Sequence, residues 1–252
     1  MLNNMGTVLG VFFGIFIIGW SIFQKTDNIY MFLNIPSLEI VVGGLIAAAM
    51  ISYGFKAIGL LLSGFYSAMF PKNYRTRDLS KRIIEYSKIA REHGFAFLEN
   101  EISKTNDSIE KEILELIAAG YSKKDILMIL DDKIYYTLEK YDEKEMIFDS
   151  MFRYSPAFGM FGTIIGVVLM LSQLSANPNQ IGPSLAIALI TTFYGLLFAY
   201  LLFGPIAEKL ARLKEEAEVY YLVLKEGIRF VLEKRNEIFI QDALNSYLKE
   251  KR

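Results

Sequence analysis

The stretch RYSPAFGMFGTIIGVVLMLSQL, residues 153–174, determines how the rest of this sequence is interpreted. After Arg153 no charged side chain occurs until Glu208. A hydrocarbon core about 30 Å thick takes roughly 20 apolar residues in an α-helix, so this uncharged run is long enough for two spans. It predicts a membrane hairpin whose two spans contain a few hydroxyls and one amide, with no carboxylate.

The composition fits a membrane protein that also has a water-soluble part. The chain has 252 residues, of which 53% are hydrophobic, and the apolar residues are concentrated in blocks. A formal charge of -1 gives no reason to expect nucleic acid as a partner. The absence of cysteine excludes disulfides and thiolate chemistry, and one histidine, His93, is too few for a histidine-based metal site. We therefore expect no metal and no cofactor.

Four apolar blocks predict four transmembrane helices, at about 5–23, 38–55, 157–174 and 185–205. The intervening loop 24–37 has one basic residue, Lys25, and the loop 175–184 has none. All other basic residues lie in the central segment or after the last span. The positive-inside rule therefore predicts that both termini and the central segment are cytoplasmic.

The predicted fold is an all-α polytopic membrane protein with a helical cytoplasmic domain between spans 2 and 3. In that domain Ile83, Ile84, Tyr86, Ile89 and Ala90 share one side of an amphipathic helix. Gly120 is predicted to stop a helix and Ser122 to cap the next one. Residues 58–70 are apolar, and are expected to continue the second helix or lie at the interface. The predicted segments are a hairpin at 1–56, the cytoplasmic domain at 57–153, a second hairpin at 154–207 and a charged helical tail at 208–252.

The second hairpin has small residues at helical spacing on both of its helices. They are Gly159, Gly162, Thr163 and Gly166 in the third block, and Ala188, Thr191, Thr192, Gly195 and Ala199 in the fourth. Small residues allow close helix packing in membranes. Two interpretations stay open from these residues: a packing face alone, or a face that lines a polar path.

Each helix of this hairpin also has a proline at its cytoplasmic end. Pro156 fits the first turn of a helix, where a missing N–H is tolerated, and Pro205 fits a helix end or a kink. Ion transport through lipid normally uses an intramembrane ionisable residue, but Glu39, at an outer edge, is the nearest candidate. Either the chain transports no ion, or a partner supplies the carboxylate.

The residues in these blocks resemble the MotA/PomA family of flagellar motor stator subunits. PAFGMFGTIIGVVLML and PSLAIALITTFYGLLFAYLLFGP resemble the last two family helices, and SLEIVVGGLIAAAM the second. AREHGFAFLE, residues 90–99, resembles a cytoplasmic element of the family. The similarity covers nearly the whole chain, with four motifs in the family order.

The resemblance implies a ring of five subunits around two copies of a single-span MotB or PomB partner, in the bacterial inner membrane. That partner would carry the ion-binding aspartate and a peptidoglycan-binding domain. Passage of H⁺ or Na⁺ would then rotate the ring against the rotor protein FliG. By resemblance, Pro156 and Pro205 are the coupling prolines, Thr163 with Thr191 or Thr192 lines the ion path, and Arg91 and Glu99 contact the rotor. Thr163 favours sodium slightly.

Three alternative functions fit the sequence less well. TolQ/ExbB proteins share the paired last helices but typically have three spans, with the N-terminus outside. A scaffold that conducts nothing would leave the polar face and the prolines without a role. An enzyme is disfavoured because no acid, base or nucleophile pair occurs in the membrane blocks, and no phosphate-binding glycine loop is present.

Overall fold

The computed structural model describes residues 2–26, 29–174, 179 and 181–249, and in this part of the chain every regular element is helical. This confirms the all-α class. Short 3₁₀ segments occupy Ile29–Phe32 and Phe95–Lys104, and a π-helical segment occupies Phe198–Phe203. The α-helices are α1 (Leu2–Phe23), α2 (Ile35–Tyr53), α3 (Lys56–Met69), α4 (Thr76–Glu92), α5 (Ser108–Ala118), α6 (Lys123–Gln173), α7 (Ile181–Leu197), α8 (Gly204–Leu232) and α9 (Glu237–Lys249).

Contacts divide the chain into two compact units. The first, here called the apolar unit, combines Met1–Pro71 with Asp142–Ala211; the second, the head unit, combines Lys72–Tyr141 with Arg212–Arg252. The sequence-based segmentation placed its boundaries near residues 56, 153 and 207 instead. The difference arises because α3 and the residues just before Arg153 pack with the apolar helices, for instance where Lys144 donates to Ser67 at 3.0 Å.

Three helical stretches in the described residues are long and apolar enough to cross a membrane: Tyr30–Tyr53, Lys123–Gln173 and Ile181–Leu232. Leu9–Phe23 is a shorter apolar helix. Each of the four predicted blocks overlaps one of these stretches. Parts of the two predicted outer loops, at 27–28 and at 175–178 and 180, lie outside the described residues.

The N-terminus of α2 is fixed by side-chain hydrogen bonds. The side-chain oxygen of Asn34 accepts from the backbone N–H of Ser37 at 3.0 Å, which caps the helix. At the other end, Gly54 adopts φ 64, a left-handed conformation that favours glycine. Helix α2 therefore ends before Gly54, and α3 is a separate helix. Of the two expectations for residues 58–70, the continuation of the second helix is wrong.

The expectation for Pro156 and one of the two alternatives for Pro205, the helix end, are wrong, whereas a kink at Pro205 stays a prediction. Pro156 does not lie in the first turn of a helix, because α6 runs without a break from Lys123 to Gln173. Pro205 does not end its helix either, because α8 begins at Gly204, directly after the π-helical segment. Proline is tolerated inside membrane helices where neighbouring groups or local π geometry compensate for the missing hydrogen bond.

The head unit is built around an apolar core from α4, α5, α8, α9 and the first part of α6. Ile83, Tyr86 and Ala90 are buried, and Ile84 and Ile89 pack partly buried against the same core, as their spacing predicted. The predicted helix boundary is also confirmed. Gly120 has φ 79 directly after α5, and the hydroxyl of Ser122 accepts from the N–H of Asp125 at 3.2 Å.

A buried carboxylate, Glu110 of α5, organises the polar centre of the head unit. Arg82 contacts it with two hydrogen bonds, of 2.9 and 2.7 Å, and Tyr86 donates to it at 2.9 Å. Thr105 and Tyr220 complete its shell at 2.5 and 3.2 Å. The hydrogen bond with Glu110 raises the pKa of Arg82, and burial raises the pKa of Tyr86. The buried charge of Glu110 is therefore paired and hydrogen-bonded.

Candidate functional site

The candidate site is a cluster of oxygen atoms between α6 and α7. The hydroxyl of Thr163 lies 2.9 Å from the carbonyl oxygen of Ala188 and 3.1 Å from that of Gly159, and it shares a short hydrogen bond with the hydroxyl of Thr192. The Thr192 hydroxyl is 3.4 and 3.5 Å from the same two carbonyls. Two hydroxyls and two carbonyls thus converge, and both threonines are only partly buried.

The structure separates the two adjacent threonines of α7. Thr191 is fully buried, and its hydroxyl lies 2.8 and 3.0 Å from the carbonyls of Ile187 and Ala188, in its own helix. The side chain of Thr191 packs directly against Gly162 of α6. A Cβ atom added at Gly162 would lie 2.4 Å from the Cβ atom of Thr191. Of the two alternatives left open by the sequence, the geometry therefore brings Thr192, not Thr191, to Thr163.

Four glycines allow the two helices to approach closely enough for this cluster to form. A carbon added at Gly166 would lie 2.6 Å from the backbone nitrogen of Ala188, and one at Gly195 would lie 2.6 Å from the carbonyl oxygen of Ser155. At Gly159 the nearest atoms are the carbonyl oxygen of Thr191 and the Cα of Thr192, at 3.1 and 3.2 Å. The small residues at this contact are thus used for packing, which also sets the spacing of the hydroxyls.

The two proline-containing segments pack against each other. Phe152 lies one turn before Pro156, and its ring packs edge-on against the ring of Tyr200, with 5.3 Å between the ring centroids. The same ring lies 3.1 Å from a carbon added at Gly204, directly before Pro205. A change of bend at either proline therefore changes a contact made by the other segment.

Arg91 and Glu99 lie apart from this cluster, on the surface of the head unit. Arg91 is in the last turn of α4, and Glu99 is in the 3₁₀ segment Phe95–Lys104. Both side chains are exposed, and neither forms an ion pair within the described residues. Their charges are available to another molecule.

The described residues contain no group of three or more His, Asp or Glu side chains placed to hold a metal ion. Within residues 154–207 the sequence has no carboxylate at all, and Glu39 is exposed near the start of α2. The oxygen cluster is therefore formed only by neutral groups.

Comparisons with known proteins identify the family of this chain. A model of the MotA/TolQ/ExbB proton channel family matches residues 100–221. The chain is 30% identical to the chemotaxis protein PomA of Vibrio alginolyticus, over 88% of this chain and 87% of PomA. The chain belongs to the MotA/PomA family. This confirms the resemblance seen in the sequence.

Two further matches extend over almost the whole length of this MotA/PomA chain. The uncharacterised protein YtxD of Bacillus subtilis is 34% identical over 96% of this chain and 88% of YtxD. The flagellar MotAB stator complex from Bacillus subtilis matches with a TM-score of 0.83 and 25% identity, over 97% of this chain and 96% of the matched chain.

Two polar side chains at the site of this MotA/PomA chain were not singled out from the sequence. The phenol of Tyr194 donates to the carbonyl of Phe32 at 2.5 Å and accepts from the N–H of Asn34 at 3.2 Å, which ties α7 to the start of α2. Ser155, next to Pro156, is fully buried. Helical spacing does not show which distant backbone group a tyrosine such as Tyr194 will reach.

Proposed function

We propose that this chain is a stator subunit of the bacterial flagellar motor, which converts ion flow across the membrane into torque. The observation that carries this proposal is the cluster of Thr163, Thr192 and two backbone carbonyls in a hairpin without a carboxylate. Such a cluster offers oxygen atoms to a passing ion but has no group that binds and releases a proton near neutral pH. The chain therefore needs a partner that supplies the carboxylate.

The partner in this proposal is a MotB- or PomB-type single-span protein with an ion-binding aspartate and a peptidoglycan-binding domain. Five copies of this chain surround two copies of the partner. The matched Bacillus subtilis structure is a MotAB complex, which supports a partner of this kind. The transmembrane potential supplies about 2.3 kcal/mol per elementary charge per 100 mV, and rotation of the ring uses this free energy.

Torque in this proposal passes to the rotor protein FliG through charged contacts of the head unit. Arg91 and Glu99 are the proposed contacts, and their exposure without an intramolecular ion pair supports that role. The positive-inside distribution supports a four-span arrangement in the cytoplasmic membrane with both termini and the head in the cytoplasm, where the rotor lies. The chain itself performs no catalysis.

The coupling ion is H⁺ or Na⁺, and the geometry favours Na⁺. Hard cations bind oxygen ligands, and hydroxyl and carbonyl oxygens converge at Thr163 and Thr192. Pro156 and Pro205 couple ion passage to movement, which agrees with the contact between their segments.

Ion uptake into vesicles tests the proposal. The chain is co-expressed with an aspartate-bearing single-span partner lacking its plug segment, and the vesicles are given a proton or a sodium gradient. We expect flux that requires both chains and disappears when the partner's aspartate is replaced by asparagine. The gradient that drives the flux identifies the ion.

A matched pair of variants locates the path. Thr192→Val removes a hydroxyl of the cluster and is expected to reduce flux at least tenfold, whereas Thr191→Val removes a hydroxyl whose hydrogen bonds stay within its own helix and is expected to leave most of the flux. An assembled complex without flux in either gradient would favour a scaffold. Flux with a TolQ/ExbB-type partner, and none with a MotB-type partner, would favour that energiser class.

A further inference from the structure

Ser155 combines two features that do not normally occur together in a membrane helix. Its side chain is fully buried in the apolar unit, and its hydroxyl has no hydrogen-bond partner in the part of the chain that the structure describes. Buried hydroxyls in native proteins are nearly always hydrogen-bonded, and each exception requires an explanation. The residue after Ser155 is Pro156, which lies inside the same helix, α6.

Pro156 leaves an acceptor without its usual donor. Within α6 the N–H of residue 156 would bond the carbonyl of Phe152, four residues earlier, but proline has no N–H. Ser155 lies three residues after Phe152, and a serine side chain can bond the carbonyl three or four residues before it by rotation about its own Cα–Cβ bond. A buried hydroxyl without a partner and a carbonyl that lacks its usual donor therefore lie within one helical turn.

The surroundings link this turn to the helix that contains Pro205. The carbonyl oxygen of Ser155 lies 2.6 Å from a carbon added at Gly195, so α7 is in direct contact at this level. Phe152 contacts both Tyr200 and the position of Gly204. Because α6 and α7 are in close contact here, a change of bend in α6 must shift α7 as well.

We propose that Ser155 is a positioning residue that sets the bend of α6 at Pro156. In the arrangement seen here its hydroxyl is unpaired, and in a second arrangement the hydroxyl bonds the carbonyl of Phe152. Hydrogen bonds of this kind bend helices, so the two arrangements differ in the contact between α6 and α7. The proposal rests on the stator function, because it assigns the change of bend to the steps of ion passage.

Three variants test this role. Ser155→Ala removes the donor, Ser155→Thr keeps it, and Ser172→Ala removes an exposed hydroxyl on the same helix that bonds the carbonyl of Leu169 at 2.8 Å. Each is co-expressed with the plug-deleted partner for flux in vesicles, and with the intact partner for swimming speed. Both measurements are normalised to the amount of assembled complex. We expect Ser155→Ala to lower flux and speed at least threefold, Ser155→Thr to stay within twofold of the wild type, and Ser172→Ala to match the wild type.

Two results would overturn the proposal. One is Ser155→Ala within twofold of the wild type in both measurements. The other is equal impairment by Ser155→Ala and Ser155→Thr in assembled complexes, which would show that the site responds to volume and not to the hydroxyl. If Ser155→Ala does not assemble, flux and swimming speed are measured for Ser155→Cys instead. Cysteine has nearly the volume of serine but is a weak hydrogen-bond donor. In that case impairment supports the proposal and wild-type behaviour refutes it. A wild-type complex without flux would instead refute the stator function itself.

Discussion

Gly166 shows how one hydrogen atom sets the separation of α6 and α7. A carbon added there would lie 2.6 Å from the backbone nitrogen of Ala188 and 2.8 Å from the carbonyl oxygen of Ser184. Backbone atoms cannot rotate away as a side chain can. Overpacking typically costs about 1–3 kcal/mol, and the gain in helix propensity offsets about 1 kcal/mol of that cost, so we expect Gly166→Ala to destabilise the protein by up to about 2 kcal/mol. Thermal unfolding of the purified protein in detergent measures this change.

Gly43→Ala is the matched control for this prediction. Gly43 lies in the apolar helix α2, and a carbon added there meets no atom within 4 Å. This variant is expected to be as stable as the wild type, or more stable by up to about 1 kcal/mol. Equal destabilisation by both variants would show that the loss does not come from the contact with α7.

At the scale of single residues, the sequence predicted which positions are small but not which side chains meet. The spacing of glycines marks a packing face, because residues three and four apart share one side of a helix. Thr191 and Thr192 are adjacent and point in directions about 100° apart. Which of them reaches Thr163 depends on how α7 is rotated against α6, and that rotation follows from packing.

At the scale of elements, helix α5 contains one buried and one exposed carboxylate, Glu110 and Glu112, whose contributions to stability can be compared. Glu110→Ala removes the carboxylate that Arg82 and Tyr86 contact inside the head unit. Because Arg82 is then left without its buried partner, we expect a loss of about 3–5 kcal/mol in the free energy of unfolding. Denaturation of the full chain in detergent, followed by circular dichroism, measures it.

Glu112→Ala is the control on the same helix. Glu112 pairs with Lys133 at 2.6 Å, but both side chains are substantially exposed to solvent. Exposed pairs contribute little, so a change of no more than about 1 kcal/mol is expected. If the two variants were equally destabilised, the buried network would not be what stabilises the head.

The head unit is also predicted to lose stability in alkali. Burial raises the pKa of Tyr86 and of Tyr220 above the ordinary value of 10.0. Burial alone would lower the pKa of Lys72, but the hydrogen bond and charge of Asp107 outweigh it and raise that pKa above 10.5. Above about pH 10 the unfolded chain therefore releases protons that the folded head retains, and the free energy of unfolding falls as pH rises.

Melting temperatures measured from about pH 8 to about pH 11 test this expectation. Tyr220→Phe should weaken the pH dependence, because it removes one of the buried phenols. Tyr136→Phe should leave it unchanged, since Tyr136 is 61% exposed. A melting temperature that stays constant over this range in the wild type would contradict the prediction.

Local signals predicted the ends of elements where the signal was strong and unopposed. Gly120 and Ser122 mark a boundary because a left-handed glycine and a hydroxyl cap both act within one turn. Pro156 was misjudged because its local preference is overridden by packing: α6 continues through it in contact with α7. Pro205 does not end its helix, as one of its two alternatives had it, but follows a π-helical segment that no local sequence rule predicts.

At the scale of the whole molecule, the long uncharged stretch and the proposed rotor contacts fall into different units. The uncharged stretch 154–207 lies entirely in the apolar unit, whereas Arg91 and Glu99 belong to the head unit. The order of segments and the all-α class could be predicted, because both follow from composition along the chain. The grouping of α3 with the apolar helices could not, because it depends on contacts between residues far apart in sequence.

The proposed division of tasks makes a prediction about motility. Arg91→Glu reverses a charge at the proposed rotor contact but changes no intramolecular ion pair in the described residues. We expect swimming to be strongly impaired while membrane insertion, complex assembly and ion flux stay at wild-type levels, because the conducting hairpin lies in the other unit. Lys124→Glu makes the same charge change at an exposed position of α6 and is expected to leave swimming intact. Normal swimming of Arg91→Glu cells would remove Arg91 from the rotor contact. Loss of swimming in both variants would indicate a response to the net charge of the head instead of a contact at Arg91.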